Sequence, residues 1–539
     1  LLMFVATASA APPHEYLQSV DKPVFAEDHS LPRLTRFGWT LPYKLRVELA
    51  DSWGYALEFG GYASAKKVDR IENPQSLEAK VVRLATEQPD RFPLQVILTR
   101  ELPGTPKDHD AVAEPPSEDA ELDEGEAAAA TQTQPAVADF PVDQWTRTAD
   151  GELVTIEKKQ EDGSVQQVQR KIWSPEMPQF IVEQAAELRA APLRELVDTG
   201  ARIAVVLNGG EYGIGVPGFH ARFWKQDPRI MAARGDRSWW EYVSERKANM
   251  ELTIANAVRE AVPDRQLYIY YTTGGGTHRH RWGGWTAWSY GYEWMKPVSD
   301  LASDEAYYKH FNSGWTGSRN MLKMILNAKG WEIRLGQPLT YNWLCAGWPR
   351  GNTKQNPQAG LGDLDRYMGF VKCLYVTGMV GANAGYYSYP KGGFGAPIDL
   401  DQPPHWLRQM EALARVHALF SHVDQLVREG QLLPGPDKHA WSKQNPAYEF
   451  PTGEPEARVV ARKHAPSSRW LIAAWAAGGE ARDVTANLPE LGTITVQARP
   501  VGTVYMAHRK AGRTELTQLD PDPARPAATV ADILDAIDD

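Results

Sequence analysis

The chain has 539 residues, more than a single hydrophobic core usually organises, so one large domain and at least one smaller module are expected. Its 58 Lys plus Arg against 68 Asp plus Glu give a formal charge of -10, and no basic stripe is present, which argues against nucleic acid as a partner because that binding depends on neutralising phosphates. Aromatic residues are abundant, with 19 Trp, 21 Tyr and 14 Phe; where they cluster, their flat faces suit sugar rings as well as core packing.

Residues 1–11, Leu1-Leu-Met-Phe-Val-Ala-Thr-Ala-Ser-Ala-Ala, read as the apolar end of a signal peptide with a small-residue cleavage site, so a secreted or periplasmic location is expected. The stretch is too short to cross a bilayer and no other run of about 20 apolar residues follows, so no membrane partner is expected. Residues 42–53 have helical spacing, and Tyr55-Ala-Leu-Glu-Phe-Gly-Gly suits a buried parallel strand, as does Phe92-Pro-Leu-Gln-Val-Ile-Leu-Thr. Residues 103–139 are rich in Ala, Glu, Asp, Pro and Thr and lack the apolar periodicity to order, so they read as a disordered insert. A polar hairpin over 142–173 should turn at Glu161-Asp-Gly-Ser.

Helix and strand then alternate. Helical spacing over 180–199 precedes a strand at 202–207, and the amphipathic stretch 238–261 precedes Gln266-Leu-Tyr-Ile-Tyr-Tyr. Residues 320–330 lead to Gln337-Pro-Leu-Thr-Tyr-Asn-Trp, and 364–380 lead to Ala384-Gly-Tyr-Tyr-Ser-Tyr. Such alternation implies parallel βαβ units, in an open doubly wound sheet or a closed barrel. A (β/α)8 TIM-like barrel over 30–435 is favoured, because chemically able residues follow many different strands. The helical stretch 405–428 precedes a break at Leu433-Pro-Gly-Pro. Residues 456–510 then hold short β runs separated by turns, the pattern of a C-terminal antiparallel β-sandwich, and 511–539 read as a flexible tail. Cys345 and Cys373 both have apolar neighbours and suit a disulfide or two buried thiols equally.

The sharpest constellation is Asn208-Gly-Gly-Glu-Tyr-Gly, in which Glu211 leaves a buried strand after glycines that permit a tight turn and close approach of a ligand. Glycoside hydrolysis needs one carboxyl group to protonate the leaving oxygen and another as nucleophile or base. Glu211 is the candidate acid/base, although a strand-end Glu also suits a salt bridge or helix cap. For its partner, Glu293 lies in the most aromatic segment, Trp288-Ser-Tyr-Gly-Tyr-Glu-Trp, where rings raise a carboxyl pKa. Glu58 follows, since a charge in an apolar strand must be functional or paired, for instance to a barrel arginine. Asp304 and Glu305 read as a helix start. The loop holding His278, His280, Arg281, Trp282, Trp285 and Trp288 combines rings with cations that suit a sulfated or uronic sugar. Asn208, Asn342, Trp343, Asn383, Tyr386 and Tyr387 would line further substrate-binding positions. No metal site is expected, because His278 and His280 lack further ligands at suitable spacing. The formal dinucleotide motif Gly213-Ile-Gly-Val-Pro-Gly is followed by an aromatic run rather than a glycine-led helix, so no cofactor is expected.

From these residues the chain resembles the retaining (β/α)8-barrel glycoside hydrolases, including agarase- and carrageenase-type enzymes of marine galactans, whose acid/base Glu follows an Asn at a strand end; here two glycines intervene. The resemblance implies a polysaccharide or oligosaccharide substrate. It leaves two alternatives, a non-catalytic carbohydrate-binding barrel and a polysaccharide lyase with His278 or Tyr292 as base.

Overall fold

A computed structural model of the chain describes residues 10–38, 40–103, 143–160, 162–210, 212–215, 217–270, 292–306, 314–345, 364–386, 392–438, 446–510 and 512–538. Its centre is built from β1 (Thr35–Gly38), β2 (Leu57–Ala63), β3 (Leu94–Leu98), β4 (Ile203–Asn208), β5 (Leu267–Tyr270), β6 (Glu305–Ala306), β7 (Thr340–Cys345) and β8 (Met379–Tyr386). The strands β2, β3, β4 and β5 form one parallel ladder, and β6, β7, β8 and β1 form another. Two seams join them. At the first, Leu34 pairs in parallel with Tyr55. At the second, the Asp300 amide donates to the Tyr268 carbonyl at 2.9 Å, and the Tyr268 amide donates to the Asp300 carboxylate at 2.7 Å. Every strand therefore neighbours its successor in the chain, which is the order of a closed (β/α)8 barrel.

The helices that follow the strands are α1 (Tyr43–Ser52), α2 (Leu77–Glu87), α3 (Gln179–Asp198), α4 (Trp239–Ala261), α5 (Tyr292–Met295), α6 (Gly314–Arg334), α7 (Leu364–Thr377) and α8 (His405–Ser421). The longest, α4, starts in a capping box in which Ser238 and Glu241 satisfy each other's backbone amides. Alternation along β4 divides its two faces between two apolar clusters. Val205 and Leu207 pack in the same cluster as Tyr341 and Trp343, while Val206 between them packs with α2, α3 and α4 residues such as Val82, Leu193 and Ile254.

At the first seam β2 departs from the ladder. Its register moves from Glu58 opposite Gln95 to Tyr62 opposite Ile97, and Gly60 (φ +124) and Gly61 (φ +64) take up the bulge in conformations that other residues rarely adopt. The Gln95 amide fills the gap. It accepts from the Arg36 amide at 2.7 Å and donates to the Arg36 carbonyl at 2.6 Å, so a side chain supplies what a neighbouring strand would.

The C-terminal module contains β9 (Gln431–Leu432), β10 (Ala457–His464), β11 (Arg469–Ala476), β12 (Arg482–Leu488), β13 (Gly492–Ala498), β14 (Thr503–Lys510) and β15 (Arg513–Gln518). Five of them form an antiparallel sheet in the order β9-β10-β11-β14-β15, while β12 and β13 form a hairpin. Val459, Ile472 and Tyr505 of the sheet share one apolar cluster with Val484, Leu488 and Val496 of the hairpin. The module is docked on α7, where buried Lys372 pairs with Asp520 at 2.7 Å and donates to the Gly502 carbonyl at 2.9 Å.

Several sequence expectations need correction. The strands β1 and β6 carry too many polar residues to read as buried strands, and Asp304 and Glu305 lie at a strand rather than a helix start. The helix preceding β8 ends at Thr377 rather than Val380, because Gly378 (φ +111) turns the chain into the strand. Residues beyond 510 are not a loose tail where described: β15 pairs with β14, and the helix Val530–Asp538 packs Ile533, Leu534 and Ile537 on the main core. Cys373 is a buried free thiol in α7. Nearly all of the insert expected at 103–139 lies outside the described residues, and among those described no helix is long and apolar enough to cross a membrane.

One buried group makes the fold pH-sensitive. The His417 ring on α8 accepts or shares a proton with the Tyr375 hydroxyl at 2.6 Å, and burial, aided by His29 and Arg33, pushes its pKa down to about 3. The unfolded chain takes up this proton below about 6.5, whereas the folded chain does not until about 3. Stability contributed by neutral His417 is therefore present above pH 6.5 and falls as the pH drops from there towards 3, by up to about 1.4 kcal/mol per unit. Urea denaturation between these limits should show a shallower acid loss in His417→Gln than in the wild type.

Candidate active site

The carboxyl-terminal ends of parallel strands are where a barrel of this kind gathers side chains from different parts of the chain. At the end of β1 stands Phe37, at the end of β2 Tyr62, and just beyond β3 Arg100. The Phe37 ring lies 5.4 Å from Trp343 of β7 and 6.4 Å from Tyr62. The Arg100 guanidinium lies 5.9 Å from the Phe37 ring and 5.7 Å from the Tyr62 ring, distances at which a cation is attracted to an aromatic face. A Cβ on Gly209 would stand 3.3 Å from two Arg100 nitrogens. The rings, the guanidinium and the start of the β4 loop thus converge at one place, and Tyr62 is 36% exposed there.

The β4 loop is held from behind. Asn208 is buried and faces the helix layer, where its amide nitrogen donates to Glu251 of α4 and to the Tyr268 hydroxyl, both at 2.9 Å. Its amide oxygen accepts from the Gly210 amide at 3.0 Å. Gly210 has φ +66, and a Cβ there would come within 2.8 Å of the Tyr270 ring, so only glycine fits this turn. Lys247 of α4, fully buried, donates to the Gly210 carbonyl at 3.1 Å and to the Tyr212 carbonyl at 2.6 Å. Burial depresses the Lys247 pKa, opposed by Glu251 beside it, and raises that of the Tyr212 hydroxyl. Glu211 itself lies outside the described residues, as do His278, His280, Arg281, Trp282, Trp285, Trp288 and Tyr387. Of Tyr386 the structure describes the backbone, paired with Gly38.

Of the two expected partner carboxylates, Glu58 is paired within the fold and Glu293 lies on a short helix before β6. Glu58 is buried between β2 and α1, with Arg36 at 2.8 Å and Arg46 of α1 at 3.7 Å, and Arg46 also donates to the Glu58 carbonyl at 2.7 Å. It therefore belongs to a structural ion cluster. Glu293 is exposed on α5, whose chain continues through Lys296–Val298 towards β6. Asn208 and Asn342 are removed from a substrate-facing role. Asn342 accepts from the Asp304 amide at 3.4 Å, and Asp304, whose carboxyl is pushed well above the usual range by burial and then by Glu332, belongs to the layer behind the strands. Trp343 and Asn383 are brought together as register neighbours on β7 and β8. Both are buried: Asn383 accepts from the Thr35 hydroxyl at 3.1 Å, and Trp343 forms the floor beneath Phe37. Phe37, Tyr62 and Arg100 were missed by the sequence reading. Tyr62 follows the Gly60-Gly61 bulge, and that glycine pair was the available signal. Among the described residues no group of three or more potential metal ligands occurs.

No protein-family model matches the chain, and no curated protein matches its sequence. Among solved structures, the chain is similar to endo-glycoceramidase II from Rhodococcus sp. at 12% identity, over 89% of this chain and 99% of that one, with a TM-score of 0.33. It is also similar to a trehalose-6-phosphate hydrolase from Bacillus licheniformis, at 10% identity over 81% and 86% of the two chains and a TM-score of 0.38. A glycoside hydrolase family 5 protein from Bacteroides vulgatus matches at 12% identity over 62% and 66%, with a TM-score of 0.30. Superpositions at these scores carry no argument, and the barrel rests on its own ladder of strands.

The Glu58 cluster generates a prediction that separates structure from chemistry. Glu58→Gln leaves two buried guanidinium groups without their carboxylate, which costs about 3 to 5 kcal/mol. Urea denaturation should show that loss, while kcat per folded molecule stays at the wild-type value.

Proposed function

We propose that this chain is a glycoside hydrolase acting on a polysaccharide or oligosaccharide, with Glu211 as its general acid/base. The observation that carries the reading is the convergence of Phe37, Tyr62 and Arg100 on Gly209, two residues before Glu211, at the carboxyl-terminal end of the barrel. Aromatic faces bind the apolar faces of sugar rings, and a carboxyl group beside them is placed to protonate a glycosidic oxygen. With Glu58 held in an ion cluster, Glu293 or a carboxylate on another strand end is left as the second carboxylate. A separation of about 5 to 5.5 Å from Glu211 would make the pair retaining, and about 6.5 to 9.5 Å inverting.

The substrate class follows from charge. Arg100 between two rings suits a sulfate or carboxylate carried on a sugar, because a guanidinium binds such groups in a forked geometry. His278, Arg279, His280 and Arg281 add cations to the loop after β5 in sequence. An anionic galactan is therefore the proposed substrate, met outside the cytoplasm if residues 1–11 serve as an export signal.

Reducing-end release from sulfated galactans, neutral agarose and uronic polymers tests the reading. The wild type is expected to cleave a sulfated or uronic polymer, and Glu211→Gln to lower kcat by about 100- to 10,000-fold, the range for removal of a general acid. Unchanged turnover in Glu211→Gln would refute it, and retention of polymer in affinity electrophoresis with no product would indicate a binding protein. Tyr62→Ala is expected to raise KM more than it lowers kcat, since its ring contacts the sugar rather than the reacting bond.

A further inference from the structure

The reaction proposed above uses the mouth of the barrel, yet the most concentrated set of buried polar contacts near it lies one layer behind. Lys247 and Glu251 sit one helical turn apart on α4, both fully buried, with Nζ 2.9 Å from Oε1. An ammonium has three protons to donate. Here two are directed to the carbonyls of Gly210 and Tyr212, the residues on either side of Glu211, while the charge is paired with Glu251. The other carboxylate oxygen of Glu251 accepts from the Asn208 amide at 2.9 Å and the Tyr212 hydroxyl at 2.8 Å. One ion pair thus touches residues 208, 210 and 212, and the Tyr212 ring is held between the Lys247 ammonium at 4.5 Å and the Arg189 guanidinium at 4.4 Å.

Stability alone does not account for this arrangement. Two apolar side chains of similar volume commonly stabilise a buried site as well as an ion pair does. What apolar groups lack is a set of donors that fixes the turn at two points, the carbonyls of Gly210 and Tyr212. A turn so held limits where a side chain carried on it can go, and a misplacement of about 1 Å is enough to cost about 100-fold in rate.

We infer that the Lys247–Glu251 pair is a positioning device for the turn that carries Glu211 in sequence, clamping the carbonyls of Gly210 and Tyr212 on either side of it. The inference rests on the proposed role of Glu211. Lys247 and Glu251 act through that residue and do not themselves meet the substrate.

The test uses the full chain in three forms: Lys247→Met/Glu251→Gln, which removes both charges so that neither is stranded, Glu211→Gln, and the triple variant combining them. In the free protein, hydrogen exchange followed by mass spectrometry should show faster exchange in the peptide containing residues 209–213 of the double variant, with the barrel strands unchanged. On the galactan cleaved by the wild type, the double variant should lose about 100-fold in kcat with little change in KM. In the Glu211→Gln background the same pair of substitutions should cost nothing further, because a group that acts only through Glu211 has no effect once that carboxyl is absent. Equal losses in both backgrounds, wild-type kcat in the double variant, or unchanged exchange at 209–213 would overturn the inference. If Glu211→Gln alone retains full activity, the proposed function fails instead, and the exchange measurement still reports whether the pair holds the turn.

Discussion

A closed parallel barrel has no edge, so each backbone N–H and C=O around its wall must find a partner. In this chain two of the joints meet that demand with side chains. Gln95 supplies both a donor and an acceptor to Arg36 where β2 bulges away, and the Asp300 carboxylate takes the Tyr268 amide where β5 meets β6. An unpaired peptide group at either seam would cost about 1 to 3 kcal/mol. The bulge that Gln95 compensates is also what carries Tyr62 to the mouth, so the irregularity that weakens the wall shapes the site.

The same demand for partners explains where the charges lie. Arg36 and Arg46 both pair with Glu58, Lys247 and Glu251 pair within α4 behind β4, and Lys329 pairs with Glu332 on α6. Each group is buried. Charged residues that a chain-order reading assigns to chemistry are therefore found in buried pairs, with Arg100 beside the rings of Phe37 and Tyr62. A carboxylate inside a barrel strand is evidence of function only when no buried cation already holds it, as Arg36 holds Glu58.

Much of the architecture is legible in the chain because the buried strands β3, β4 and β5 and the amphipathic helices α3 and α4 are apolar at the spacings their geometry demands. The strands β1 and β6 are not legible for an equally physical reason. Thr35, Arg36, Ser303 and Asp304 look like loop residues until the Tyr341 hydroxyl, Gln95, Glu58 and Glu332 are brought to them. These partners are distant in sequence. Of the proposed site, Glu211 is an expectation from its glycine-flanked strand end, whereas Phe37, Tyr62 and Arg100 have no local pattern to connect them. Lys247 was hidden because a lysine in an amphipathic helix ordinarily belongs to its solvated face. The tail from 511 onward was misread for its Pro and Asp content, although β15 and the apolar face of the last helix lie within it.

The proposed reaction is cleavage of a glycosidic bond by water. Digestion of the proposed substrate, an anionic galactan, in water enriched in oxygen-18, with mass spectrometry of the products, tests that proposal most directly. Hydrolysis predicts one heavy oxygen at every newly formed reducing end; products without it, carrying an unsaturated sugar at the opposite end, would contradict the account and establish elimination.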